Sequence, residues 1–156
     1  MQMKKVLIAL DLDPTAQKVA KMGHDLAKAM AAQSVLLHVT SGVTDYSFLN
    51  YSPIMGFEGF SGLDTTQGDA GEELKNVSQE YLDKSKKHLG DETIQTVVKN
   101  GDFGKTILDT AKEIKADLIV MGTHSRRGLE KILMGSVAEY VLHHTTIPVL
   151  IIPTNK

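Results

Sequence analysis

The chain contains no cysteine and no tryptophan, and aromatic residues make up only 5% of its 156 residues. Without cysteine it has no disulfides, no thiolate metal ligands and no cysteine nucleophile, a composition that fits a reducing compartment. A Gly-x-Ser-x-Gly nucleophile elbow is missing as well. The six histidines show no spacing typical of a zinc site. We therefore predict neither catalytic residues nor a metal site built by side chains.

The chain has no excess of positive charge, because it contains 17 Lys and Arg residues and 19 Asp and Glu residues, which gives a net charge of −2. This balance argues against binding to nucleic acid, which depends on basic residues that displace counterions. The apolar runs are far shorter than the roughly 18 residues of a membrane helix. The first run, Val6 to Leu10, follows two lysines but stops at Asp11, too early for a signal peptide. We expect a cytoplasmic protein that binds neither nucleic acid nor membranes.

Short apolar runs rich in β-branched residues are typical of buried parallel strands. The third run alternates polar and apolar residues, which favours a position near the edge of the sheet. The predicted strands are Val6–Leu10, Val35–Val39, Thr93–Val98, Leu118–Met121 and Pro148–Ile152.

Apolar residues at helical spacing separate these strands. Asp13 and Pro14 predict the N-cap and the first position of a helix that extends to Ala32. Gly90 predicts the end of the second helix, and Asp102 the N-cap of the third. The predicted stripes are Val19, Met22, Leu26 and Met30; Leu74, Val77, Tyr81 and Leu82; Ile107, Leu108, Ala111 and Ile114; and Leu133, Val137, Tyr140 and Val141.

This alternation predicts one α/β domain over residues 1–156, with a five-stranded parallel sheet covered by helices on both faces. Such a fold is Rossmann-like. The stretch 42–71 interrupts the pattern as a long, glycine-rich insertion that holds most of the aromatic residues. Connections of this length are lids or flexible segments, and the aromatic residues favour a lid or an interface.

Ligands of open parallel sheets bind at the carboxyl ends of the strands. After the fourth strand, Gly122, Gly128 and Gly135 would allow the backbone to approach a ligand, and Gly135-Ser136 opens a helix whose N–H groups attract anions. This pattern is typical of a phosphate cradle. It has a structural alternative, because Ser136 and Glu139 match a capping box, and the glycines could simply form turns.

Three further features lie near strand ends. Asp11 follows the first strand and is a candidate ligand residue, whereas Asp13 is better explained as a helix cap. The segment Gly101 to Thr106 ends like a P-loop but has Lys99 where the first glycine belongs, so we interpret Lys105 as a surface residue. His38, near the end of the second strand, is interpreted as a packed or hydrogen-bonded histidine.

The segments Met121 to Gly128, Gly135 to Glu139 and Ile147 to Ile152 strongly resemble the universal stress protein family, and the resemblance covers essentially the whole chain. Nucleotide-binding members carry the motif Gly-x-x-Gly-x9-Gly-Ser. This sequence matches it at Gly122 and at Gly135-Ser136, and has Ser125 in place of the second glycine.

The resemblance implies a Rossmann-like fold of the adenine-nucleotide-binding type and a non-catalytic stress-response protein that binds ATP, with Mg²⁺ held through the phosphates. It also implies a homodimer formed through the last strand, residues 148–152, an apolar edge that pairing would cover. The positions that correspond to the family's nucleotide site are Asp11, Val39, Met121, Gly122, His124, Ser125, Arg126, Gly135, Ser136 and Val137.

Two alternatives stay open at this point. Ser125 and the aromatic insertion are also compatible with a dimeric interaction module that binds no nucleotide. A slow ATPase is the third reading, although only Asp11 and His124 are available as general bases.

Overall fold

The structure is a computed structural model that describes residues 2–11, 14–40, 70–123 and 135–154, with side chains from residue 75 onward in the second helix. Strands and helices alternate along the described chain. The strands are β1 (Lys5–Ala9), β2 (Gln33–Thr40), β3 (Gln95–Asn100), β4 (Leu118–Gly122) and β5 (Val149–Ile152). The helices are α1 (Ala16–Ala29), α2 (Ala70–Leu89), α3 (Phe103–Glu113) and α4 (Ser136–His144).

The strands form one sheet in the order β3-β2-β1-β4-β5, and every neighbouring pair is parallel. In the register of the central strands, Leu7 lies beside Val35 on one side and beside Ile119 on the other. The predicted single-domain α/β fold with a five-stranded parallel sheet is therefore confirmed. Both faces of such a sheet must be covered, which explains the continuous apolar runs of β1, β2 and β4.

Alternate residues of the strands build two separate cores. On one face, Ile8, Leu36 and Val120 pack with α1 and α2, and Tyr81 of α2 is completely buried there. On the other face, odd-numbered strand residues such as Leu7 pack with α3 and α4. Because successive side chains of a strand point to opposite faces, one run of residues supplies both cores.

Helix α1 is shorter than predicted, and its predicted buried stripe is confirmed except at Met22. It begins at Ala16 with Thr15 as N-cap, so the predicted cap Asp13, which lies outside the described residues, does not hold that position. Met22, predicted in the buried stripe, is 47% exposed. Val19, Leu26 and Met30 of the same stripe pack in the core. Small residues also lie on this face, and a Cβ atom on Gly23 would lie only 2.9 Å from Ile8 Cδ1. These small residues allow the helix to lie close to the sheet.

Strand β3 lies at the edge of the sheet, as its alternating pattern predicted, but it begins two residues later. The reason is a turn in which the carboxylate of Asp91 accepts a 2.8 Å hydrogen bond from the Thr93 backbone N–H. This bond withdraws Thr93 from the strand, and pairing begins at Gln95, opposite Val35. The other strand bounds differ from the prediction by at most two residues, and the start of β4 and the end of β5 agree with it.

The predicted end of α2 and the predicted start of α3 are confirmed. Gly90 follows α2 with φ +71°, a left-handed conformation, and its N–H donates to the Lys86 carbonyl. Asp102 is the N-cap of α3, and its side chain accepts a 3.0 Å hydrogen bond from the Lys105 N–H. Residues 42–69 of the predicted insertion lie outside the described residues, whereas 70 and 71 already belong to α2.

The start of α4 differs from the predicted capping box. Gly135 is the N-cap and Ser136 is the first helical residue, so Ser136 is one position too late to cap the helix. Tyr140, predicted to be buried, is 37% exposed and stacks on the His144 ring with centroids 4.1 Å apart. Leu133 lies outside the described residues. The described helices include none that combines the length and the apolar character needed to cross a membrane.

Candidate functional site

The strand order places a crevice at the carboxyl ends of β1 and β4. The chain passes from β1 to β2 on one side and adds β4 on the other, so the direction of winding reverses between these two strands, which is where ligands of such sheets bind. Asp11 follows β1 and is exposed at this point. A small cleft there is lined by Ala9, Asp11, Thr15, Ala16, Val19, Gly122 and Thr154.

Two of the predicted site residues are part of the core. Val39, at the end of β2, is 4% exposed, and Met121, in β4, is 5% exposed. Both belong to the apolar cluster beneath α3 and α4, and Val137 packs against the same cluster. A ligand at the strand ends would therefore meet the outer edge of this cluster as an apolar floor.

The start of α4 has the properties of an anion-binding site. The first helical hydrogen bond runs from the Glu139 N–H to the Gly135 carbonyl, 3.0 Å, so the N–H groups of Ser136, Val137 and Ala138 precede the helical bonding pattern. Gly135 has no side chain with which to cap them. Unpaired N–H groups and the helix dipole both favour a negatively charged ligand at this position.

Helix α3 starts at the same edge of the sheet, but its N-terminus is already capped. The Asp102 carboxylate accepts a hydrogen bond from the Lys105 N–H, and its negative charge lies where a phosphate would have to bind. The Lys105 ammonium lies 2.6 Å from the Asp109 carboxylate, and this hydrogen bond raises the pKa of Lys105. Lys105 is thus the surface residue that we predicted, and the P-loop-like segment lacks the arrangement that binds phosphates.

His38 is buried and hydrogen-bonded, as predicted. Its Nδ1 lies 2.8 Å from the carbonyl oxygen of Leu10, and the residue is 6% exposed. Because a carbonyl oxygen only accepts hydrogen bonds, Nδ1 carries the proton. The bond fixes the backbone immediately before Asp11, so His38 orients the end of β1 at the crevice.

Gly122 has a packing role that its sequence context did not indicate. A Cβ atom at this position would lie 2.6 Å from Thr154 Cγ2 and 3.1 Å from Val19 Cγ2. The missing side chain therefore admits another part of the protein, the segment that follows β5. Thr154 thus lines the crevice, and nothing in its sequence context identified it.

Part of the predicted site lies outside the described residues, namely His124, Ser125 and Arg126. The structure brings the other predicted residues to one edge of the sheet: Asp11, Val39, Met121, Gly122, Gly135, Ser136 and Val137. In the described part of the chain, no group of three His, Asp or Glu side chains could hold a metal ion.

Fold and site together define a doubly wound α/β protein with an uncapped helix start beside the point where the winding reverses. The family model described as "Universal stress protein family" matches residues 3–153. The chain therefore belongs to the universal stress protein family.

Individual proteins agree with this assignment. Universal stress protein MJ0531 of Methanocaldococcus jannaschii is 33% identical over 98% of this chain and 84% of its own length. The solved structure of protein MJ0577 has a TM-score of 0.72 at 23% identity and covers 100% of this chain and 99% of its own. These values show that the similarity extends over the whole fold.

Two solved relatives were determined with adenine nucleotides. A universal stress protein in complex with cAMP has a TM-score of 0.64 at 20% identity and covers 99% of this chain and 100% of its own. A universal stress protein from Archaeoglobus fulgidus in complex with dAMP has a TM-score of 0.60 at 19% identity. It covers 97% of this chain and 98% of its own. At these identities the likeness establishes the shared fold.

Proposed function

We propose that this chain is an ATP-binding universal stress protein that acts without catalysis, as a nucleotide-dependent signalling or stress-response protein in the cytoplasm. Mg²⁺ accompanies the nucleotide and is held through its phosphates. Structures of family members with cAMP and dAMP support an adenine nucleotide as the class of ligand.

The start of α4 is the observation that carries this proposal. It lies beside the crevice between β1 and β4, its N-cap is a glycine, and its first N–H groups have no side-chain cap. The capped N-terminus of α3, at the same edge of the sheet, offers no comparable position. Of the helix starts that follow β3 and β4, the start of α4 is therefore the one that favours a phosphate chain.

The remaining residues fit the other parts of ATP. Asp11 would accept hydrogen bonds from the ribose or from the adenine amino group, and Val39 would contact the base at the edge of the apolar floor. Met121 and Gly122 would lie along the ribose and the α-phosphate. The phosphates would meet Gly135, Ser136 and Val137, with His124, Ser125 and Arg126 beside them.

Calorimetry tests the proposal directly. The purified chain, stripped of any ligand that accompanies it, should release or absorb heat on titration with millimolar Mg-ATP. Nucleotide should also raise the melting temperature by mass action, with about 2.7 kcal/mol of added stability at a hundredfold excess over Kd. Absence of both effects would reject ATP binding and favour the dimeric interaction module.

Absence of catalysis is a separate part of the proposal. Asp11 is the general-base candidate that the structure describes, and it is exposed at the rim of the crevice. We therefore expect phosphate release from bound ATP at the rate of the protein-free control. Turnover clearly above that rate would establish the slow ATPase.

We further propose that the chain forms a homodimer through β5, residues 148–152. In the described sheet β5 is the terminal strand, bonded to β4 on one side. Leu150 is 37% exposed there, and both of its neighbours are only half-buried. An apolar strand edge is a template for pairing with a second chain, and a second copy of β5 would cover it.

Leu150→Lys is expected to convert the dimer to a monomer, because two lysines would then face each other across the paired edges. Light scattering during gel filtration should show the halved mass. Phe103→Lys is the matched control, since Phe103 has a similar exposure of 36% but lies on α3, away from β5. A Leu150→Lys variant that keeps the wild-type mass, or a control that loses it, would contradict this interface.

A further inference from the structure

The segment after β5 folds back over the carboxyl end of β4. Thr154 is 7% exposed, although it follows the last strand by only two residues. On the outer side, the Lys18 ammonium of α1 donates a 3.0 Å hydrogen bond to the Pro153 carbonyl. On the inner side, Thr154 Cγ2 occupies the space that Gly122 leaves free. Residues 153 and 154 are therefore wedged between α1 and the end of β4.

Thr123 is the residue on which this segment rests. It is 5% exposed, and its Oγ1 lies 3.1 Å from Thr154 Oγ1. The same Oγ1 also accepts a 3.2 Å hydrogen bond from the Thr154 backbone N–H. The backbone N–H of Thr123 donates to the Ile152 carbonyl, 3.1 Å. Thr123 is thus hydrogen-bonded to the segment after β5 through both its backbone and its side chain.

The carbonyl of Thr123 holds the start of α4. It accepts a 2.6 Å hydrogen bond from the N–H of Gly135, the N-cap of that helix. Thr123 therefore connects three parts of the fold directly: the end of β4, the segment after β5, and the helix start whose N–H groups form the anion site. A change in the position of Thr123 would move those N–H groups relative to Gly122.

We propose that Thr123 and Thr154 are positioning residues for the nucleotide, and that their hydroxyl pair couples the occupied site to the segment that follows β5. This inference rests on the proposed function and extends it to residues outside the ligand's own contacts. Nucleotide bound at the α4 start holds Gly135 in place, Gly135 holds the Thr123 carbonyl, and the Thr123 hydroxyl holds residue 154. Buried hydrogen bonds of this kind transmit position because they tolerate little displacement.

Two substitutions of Thr154 separate the hydroxyl from the methyl group. Thr154→Val keeps the branched shape and removes Oγ1, whereas Thr154→Ser keeps Oγ1 and removes Cγ2. We expect Thr154→Val to weaken Mg-ATP binding about tenfold in calorimetry, in the range observed for residues that couple to a site without touching its ligand. Thr154→Ser should stay within about twofold of the wild type, since the coupling bond is kept.

Hydrogen exchange provides a readout that does not depend on affinity. Mg-ATP should slow amide exchange in the wild-type peptide that covers residues 149–154, because the Thr154 N–H bonds to Thr123 Oγ1. In Thr123→Val this acceptor is gone, and saturating Mg-ATP should no longer change the exchange of that peptide. The exchange comparison in the wild type remains decisive even if a variant folds poorly.

The outcomes distinguish this inference from the proposed function. If the wild type binds no ATP, the proposed function fails and the inference fails with it. If the wild type binds ATP but Thr154→Val binds equally well, or exchange at residues 149–154 does not respond, the positioning role alone is wrong. Equal losses in Thr154→Val and Thr154→Ser would show that packing, and not the hydroxyl pair, matters at this position.

Discussion

Gly135→Val is expected to abolish ATP binding while the protein stays folded. Gly135 has φ −63° and ψ 157°, an extended conformation that valine readily adopts, and its N–H would still reach the Thr123 carbonyl. The isopropyl group, however, would stand in front of the first N–H groups of α4. Hydrogen bonds to charged groups contribute about 1.5–3 kcal/mol each, so the loss of two lowers affinity roughly a hundredfold or more.

Calorimetry with Mg-ATP and thermal unfolding by circular dichroism should be measured on the same preparation. Gly135→Ala is the matched control, because its single methyl group should give a smaller loss of affinity. The expected pattern is a graded loss of binding with melting temperatures close to that of the wild type. Undiminished binding by the valine variant would show that phosphates do not bind at the start of α4.

Gly122→Ala is expected to destabilise the fold by about 1–3 kcal/mol, the usual cost of inserting a group into a packed region. The new Cβ would lie 2.6 Å from Thr154 Cγ2, within overlap distance. Thr154→Ser removes that methyl group, so the double variant should recover part of the lost stability. Urea unfolding of the wild type, both single variants and the double variant gives the free energy of unfolding of each protein.

The test depends on whether Thr154→Ser changes the free energy of unfolding in opposite directions in the two backgrounds. In the wild-type background Thr154→Ser removes buried apolar surface and should cost stability, whereas in the Gly122→Ala background it should restore stability. Residues in contact show such non-additive effects, and independent residues do not. Additive free energies would mean that the segment after β5 does not pack on Gly122 in solution.

Several structural features could be predicted because their signals are local. Gly90 ends α2 in a left-handed conformation that glycine adopts at little cost, and Asp102 caps α3 through a carboxylate three residues from its partner N–H. The alternation of strands and helices predicted the parallel sheet. The family resemblance, which depends on short motifs at fixed spacing, identified the edge of the sheet at which the candidate site lies.

Other features depend on distances between remote residues. Met22 is exposed, whereas Gly23 lies close to Ile8 of the sheet, and the spacing of large apolar residues does not reveal this close approach. Ser136 matched a capping box in sequence, but Gly135 is the N-cap because its carbonyl accepts the first helical hydrogen bond, and the distant Thr123 carbonyl binds its N–H. The contact between Gly122 and Thr154 joins residues that are 32 positions apart.

By itself, the sequence determined the class of fold, the family, and the strand ends from which the candidate site residues extend. These properties follow from local periodicity and from motifs that are read along the chain. Only the tertiary structure decided that the start of α4 lacks a side-chain cap, which glycine admits another segment, and which threonines connect β5 to the site. Those decisions depend on how closely two packed elements approach, and that distance is set by all the residues between them.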